Sequence, residues 1–157
     1  MRRFPSRCAA LGAAVAAVVA GPARADTPAT IALSNGAAGA HPVAMTLTIE
    51  TPLICGRLAG GTVTIALPAA EAVPQTVAAS AVTVGGRSAA GVAVSGHTLS
   101  VTVPRPKGVI CQSIFVGPAK IVLTQAAGLG NPKSAGAYRV VVRRGGEAFA
   151  ATMTVNR

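Results

Sequence analysis

Acid–base, nucleophilic and metal chemistry draw on few side-chain types, and this 157-residue chain carries only four acids, two histidines and three cysteines of them. A general acid–base pair needs two carboxylates within several ångströms of each other. The choices are Asp26, Glu50, Glu71 and Glu147. Asp26 falls at the start of the expected mature chain. Glu147 follows a hairpin turn beside Arg143 and Arg144, where a solvated charge is the plain expectation. Nucleophilic catalysis needs Ser or Cys beside a base. Ser95-Gly96-His97 sets Ser and His close together, but inside a predicted tight turn, and no G-x-S-x-G elbow is present. His41, His97, Cys55 and Cys111 are the soft and borderline metal ligands left, without the paired short spacing of a structural zinc site. No glycine-rich loop joins a strand to a helix, so phosphate cradling has no support. The expectation is a protein with no catalytic residues, no metal and no cofactor.

The remaining chemistry is redox and charge. Residues 1–25 read as a secretory signal peptide: Arg2, Arg3 and Arg7 lead, an apolar run follows from Cys8 to Ala20, Gly21-Pro22 ends it, and Ala23-Arg24-Ala25 is a small-x-small cleavage site. The run of 13 residues is short for a helix that must cross about 30 Å of hydrocarbon; an uncleaved anchor is the rival reading. Cys8 precedes the apolar run, which excludes a lipoprotein cysteine. Cleavage leaves 26–157 as a single domain, long enough for a proper core, and located outside the cytoplasm, in the envelope or beyond it. Cys55 and Cys111 remain, an even count in an oxidising compartment, and a disulfide is expected; two buried free thiols are the alternative. Closing that loop would stabilise the fold by roughly 4 kcal/mol in the chain-entropy view.

Of the fourteen Lys and Arg, four precede Asp26, leaving ten against four acids and a net charge of +6. Arg139, Arg143 and Arg144 gather on the last predicted hairpin and form a candidate polyanion-binding face. Sugar and single-strand nucleic-acid sites usually present exposed aromatic platforms. Beyond the signal segment only Phe115, Tyr138 and Phe149 are available, and all three read as core, so no nucleic-acid partner is expected.

The elements that position these residues are strands. Val43–Ile49 alternates, with Val43, Met45, Leu47 and Ile49 on one face and Ala44, Thr46 and Thr48 on the other. Thr62–Leu67 repeats the pattern and stops at Pro68. Glu71–Ser80 is Ala-rich and interrupted by Pro74, reading as a helical turn or a crossing loop. Ala81–Val84 is a short strand closed by Gly85-Gly86. Val92–Val94 and Leu99–Val103 flank Ser95–Thr98 as a hairpin with Gly96 supplying a positive φ. Ile114–Val116 and Ile121–Thr124 are further strands. Tyr138–Arg143 and Ala148–Val155 pair about Gly145-Gly146, a two-residue turn of the primed type. Eight or nine short strands with frequent turns predict an all-β, antiparallel sandwich, with a small barrel as the alternative.

The run Gly128-Leu129-Gly130-Asn131-Pro132-Lys133-Ser134-Ala135-Gly136-Ala137-Tyr138, leading into the last hairpin, resembles a pattern in immunoglobulin-like sandwich modules of secreted bacterial surface proteins. Gly61–Pro68 followed by Val82–Gly86 resembles their earlier strands. The resemblance implies an immunoglobulin-like sandwich at the cell surface and no enzymatic activity; this chain departs from it in being a lone module with two cysteines. Two functions follow as expectations. The first is a non-enzymatic, secreted or surface-associated domain acting in structure or adhesion, its Thr-rich faces and edge strands meeting a partner or copies of itself. The second is an exported binder of acidic envelope polymers through Arg139, Arg143 and Arg144.

Overall fold

A computed structural model describes residues 27–50, 61–105 and 118–157. Cys55, Cys111 and the predicted strand Ile114–Val116 lie outside these residues, as does the segment read as a signal peptide. Ten strands occupy the described residues: β1 (Thr27–Leu33), β2 (Met45–Ile49), β3 (Thr62–Ala66), β4 (Val82–Val84), β5 (Arg87–Ser88), β6 (Gly91–Ser95), β7 (Thr98–Thr102), β8 (Ala119–Leu123), β9 (Gly136–Arg144) and β10 (Glu147–Val155). Helix is confined there to two single 3-10 turns, Ala79–Ala81 and Gln125–Ala127. The fold is all-β, two five-stranded sheets packed face to face. One sheet runs β5-β4-β8-β2-β1 and the other β10-β9-β3-β7-β6.

Every pairing within a sheet is antiparallel. β1 is the exception that joins the sheets. Ala29–Leu33 pairs antiparallel with β2, while Thr27 and Pro28 run parallel to Phe149 and Ala150 of β10. The sequence shows no clear alternation before Val43, so β1 does not stand out in it. β5, only two residues long, also escapes a reading based on periodicity.

Alternation sets the core. β2 buries Met45, Leu47 and Ile49, and in register β8 buries Leu123, Ile121 and Ala119 opposite them. On the facing sheet Ile65 of β3 lies between Leu99 of β7 and Val142 of β9, and Val142 pairs with Phe149. Buried residues thus stand beside buried residues on each inner face, and the two faces interdigitate as sandwich layers do. Leu, Ile, Val and Met supply the bulk; each such side chain fully buried contributes roughly 1.5–3 kcal/mol. Phe149 is buried as the sequence implies.

The two hairpin turns expected at Gly96 and Gly145-Gly146 form, and Gly85-Gly86 turns β4 into β5 as a third. Gly85 and Gly86 take φ of +58° and +79°, Gly96 takes +56° and Gly145 takes +57°, values an L side chain adopts only with strain. Glu71–Ser80, left open between helical turn and crossing loop, is a crossing loop that ends in the 3-10 turn at Ala79.

Candidate functional site

Three connections meet at one end of the sandwich: 34–44 between β1 and β2, 67–81 between β3 and β4, and 124–135 between β8 and β9. Leu129–Pro132, from the third, runs between the other two as a strap. On one side the Val43 N–H donates to Leu129 O, Asn131 N–H to Ala40 O and Gly39 N–H to Pro132 O, each at 2.9 Å. On the other side Ala72 and Gly130 exchange both backbone hydrogen bonds at 2.9 Å, an isolated antiparallel bridge. The first connection is tied in turn to the chain's last residues through Ala38 N–H to Asn156 O at 2.8 Å and Asn156 N–H to Gly36 O at 2.7 Å.

Local sequence explains the strap. At Gly130 a β-carbon would lie 2.9 Å from His41 Cδ2 and 3.2 Å from Ala72 Cβ, so the close approach of three segments requires a residue without one. Asn131 is 3% exposed, and its Nδ2 donates to Asn35 O and to Ala37 O, both at 2.8 Å. One buried carboxamide thereby holds the turn of the first connection. His41 is exposed, with Nε2 3.1 Å from Gly128 O. Tyr138 is half-buried and its hydroxyl donates to Ser134 O at 2.8 Å.

Beside the strap is a partly open cavity of about 500 Å³. Exposed His41 and Lys133 and half-buried Tyr138 line it, together with buried Glu71 and Asn131. Glu71 is 3% exposed, and neither of its carboxylate oxygens has a hydrogen-bond partner; Asn131 Oδ1 is likewise sealed and unpartnered. Removal from water disfavours the charged carboxylate, and burial pushes the Glu71 pKa up from 4.5 to about 7. The sequence holds no signal for this. Glu71 follows two alanines after a strand-ending proline, a context that reads as a solvated loop.

The residues singled out from sequence are placed as follows. Arg139 and Arg143 point to the outer face of β9, four residues and about 14 Å apart along the strand. Arg144 follows Arg143 and alternates to the other side, half-buried, opposite Glu147 in the hairpin register. Lys120 is exposed on β8, in the other sheet. The described basic residues that lie in strands are therefore divided between the two sheets. His97 sits at the exposed tip of the β6–β7 hairpin, its backbone O accepting from Leu67 N–H at 2.8 Å where the 67–81 connection begins. Among the described residues no group of three or more His, Cys, Asp or Glu side chains is placed to hold a metal ion. No helix among them is long and apolar enough to cross a membrane.

No family model matches the chain, and no curated protein matches it. Among solved structures it is similar to one described as BslA, a bacterial hydrophobin, with 16% sequence identity and a TM-score of 0.47, covering 82% of this chain and 98% of that one. A likeness that loose fixes neither a ligand nor a role.

Proposed function

We propose that the chain is an exported, non-enzymatic domain of the cell surface or envelope, an immunoglobulin-like sandwich acting in structure or adhesion through its sheet edge. The observation that carries this reading is β6. It ends one sheet, pairs among the described residues with β7 alone, and carries no charge over Gly91–Ser95. Val92 and Val94 are packed against the core while Ala93 and Ser95 are exposed. The opposite edge, β5, is two residues long and includes exposed Arg87, the usual means of blunting an edge. An uncharged edge offering backbone donors and acceptors is a template for another strand, from a second copy or from a surface partner. The immunoglobulin-like assignment is supported by the chain's repeated crossing between sheets, β2 to β3, β3 to β4, β5 to β6, β7 to β8 and β8 to β9, in place of two separate meanders.

Binding of acidic envelope polymers is the second reading. The shared outward direction of Arg139 and Arg143 favours it.

Sedimentation of the protein across a concentration series tests the edge. Self-association that Ala93→Lys abolishes with little change in thermal stability is expected. A protein that stays monomeric and also fails to bind envelope preparations, or association that Ala93→Lys leaves intact, removes the edge reading. Loss of envelope binding that follows Arg139→Ser/Arg143→Ser and rising salt, with Ala93→Lys neutral, moves the assignment to the polymer binder. Intact mass of the envelope-associated protein checks export and the bridge: a chain starting at Asp26 whose Cys55 and Cys111 alkylate only after reduction is expected.

A further inference from the structure

Three buried oxygens at the strap lack a donor, and their arrangement shows what can supply one. Both hydrogens of the Asn131 amide nitrogen are committed, to Asn35 O and Ala37 O. This fixes the carboxamide's orientation, because turning it over would set Oδ1 against two carbonyl oxygens. Oδ1 is left sealed from solvent and unpartnered, as are Oε1 and Oε2 of Glu71. The reciprocal bonds between Ala72 and Gly130 define a hydrogen-bonded antiparallel pair. Glu71 and Asn131 are the residues next to that bridge on its two segments, and both line the same cavity. Both residues are buried, so a carboxyl and a carboxamide oxygen border one cavity, each sealed from water and without a donor.

The other titratable or charged groups around the cavity are His41, Lys133 and Tyr138. His41 Nε2 is engaged with Gly128 O, the Tyr138 hydroxyl donates to Ser134 O, and Lys133 is exposed; none gives a hydrogen bond to these oxygens. The donor that the pair itself can provide is a carboxyl proton.

We propose that Glu71 and Asn131 form a proton-operated latch between the β3–β4 and β8–β9 connections. Protonated Glu71 donates to Asn131 Oδ1 and closes the strap; loss of that proton sets acceptors face to face in a dry site and loosens it. The direction of the Glu71 titration agrees, since burial raises its pKa to about 7. The strap also holds the β1–β2 connection, so its opening frees all three loops at this end of the sandwich.

Hydrogen exchange of the Ala72, Gly130 and Asn131 amides, corrected for intrinsic rates, tests the latch. In the wild type, protection of these amides falls between pH 4.5 and pH 8, most of the fall coming below pH 7. The ceiling is about 300-fold, the equivalent of the rise from 4.5 to about 7, reached if opening fully exposes the carboxyl. Glu71→Gln, whose amide N–H replaces the carboxyl proton at every pH, keeps the strap protected at pH 8. Glu71→Ala, with no donor at any pH, is poorly protected at both. A wild-type profile without the fall, or a Glu71→Gln profile that still falls, overturns the proposal. Should the variants not fold, carboxyl ¹³C titration of the wild type decides: the Gly130 and Asn131 amide shifts must titrate together with the Glu71 carboxyl, and independent titration overturns it equally.

Discussion

Asn131 offers the sharpest test of how the loop end is held. Replacing it with alanine removes two hydrogen bonds of 2.8 Å, to Asn35 O and Ala37 O, from a residue only 3% exposed. A net contribution of about 1 kcal/mol per bond gives a loss of about 2 kcal/mol. Relief of the unpartnered Oδ1 offsets part of that loss. Exposure of the two backbone carbonyls to a widened cavity adds to it. Asn131→Asp separates the clamp from simple packing. It preserves the side chain's shape but turns an acceptor toward Asn35 O and Ala37 O, beside a second buried carboxyl at Glu71. Burying an uncompensated charge costs more than deleting a neutral group, so Asn131→Asp should be the worse variant at neutral pH, by about 1 kcal/mol or more. Urea unfolding at fixed pH reads both, with an unchanged m-value as the check that the same two-state reaction is measured. Both variants within 0.5 kcal/mol of the wild type, or Asp milder than Ala, would refute the view that the amide's donors hold the strap.

Two further outcomes follow from the same region. Stability should fall as pH rises: the folded state holds the Glu71 proton up to about pH 7 and the unfolded state releases it near 4.5, so stabilisation is fully present below pH 4.5, declines through the interval and levels off above 7. The full decline is about 3 kcal/mol at most; urea midpoints from pH 4.5 to 8.5 measure it, and Glu71→Gln should flatten the curve. Gly130→Ala should destabilise by about 1–3 kcal/mol because its Cβ would meet His41 Cδ2 at 2.9 Å. Calorimetry of Gly130→Ala/His41→Ala should recover part of that loss, and no recovery would place the strain against Ala72 instead.

How much of this was legible in the sequence differs by element. The final hairpin was legible throughout, because its register follows from a two-residue turn at Gly145-Gly146 and needs no distant partner. The β6–β7 turn was legible for the same reason, whereas Gly85-Gly86 marked only the end of β4 and not its pairing with β5. β1 was not: its halves pair with strands on different sheets, and neither half is long enough to show a period. Arg144 reads as one of a basic trio until strand alternation turns it away from Arg143.

By itself the sequence determined which side of most strands faces inward and where the chain reverses, since alternation and glycine-bearing turns act over a few residues. The tertiary structure alone decided what stands beside what across long separations. Ala72 meets Gly130 through a register set by packing of the whole sandwich, and only that meeting brings the neighbouring Glu71 and Asn131 to one cavity. A carboxyl's burial, and with it its readiness to hold a proton near neutral pH, belongs to those neighbours and to the solvent they exclude, not to the residues adjoining it in the chain.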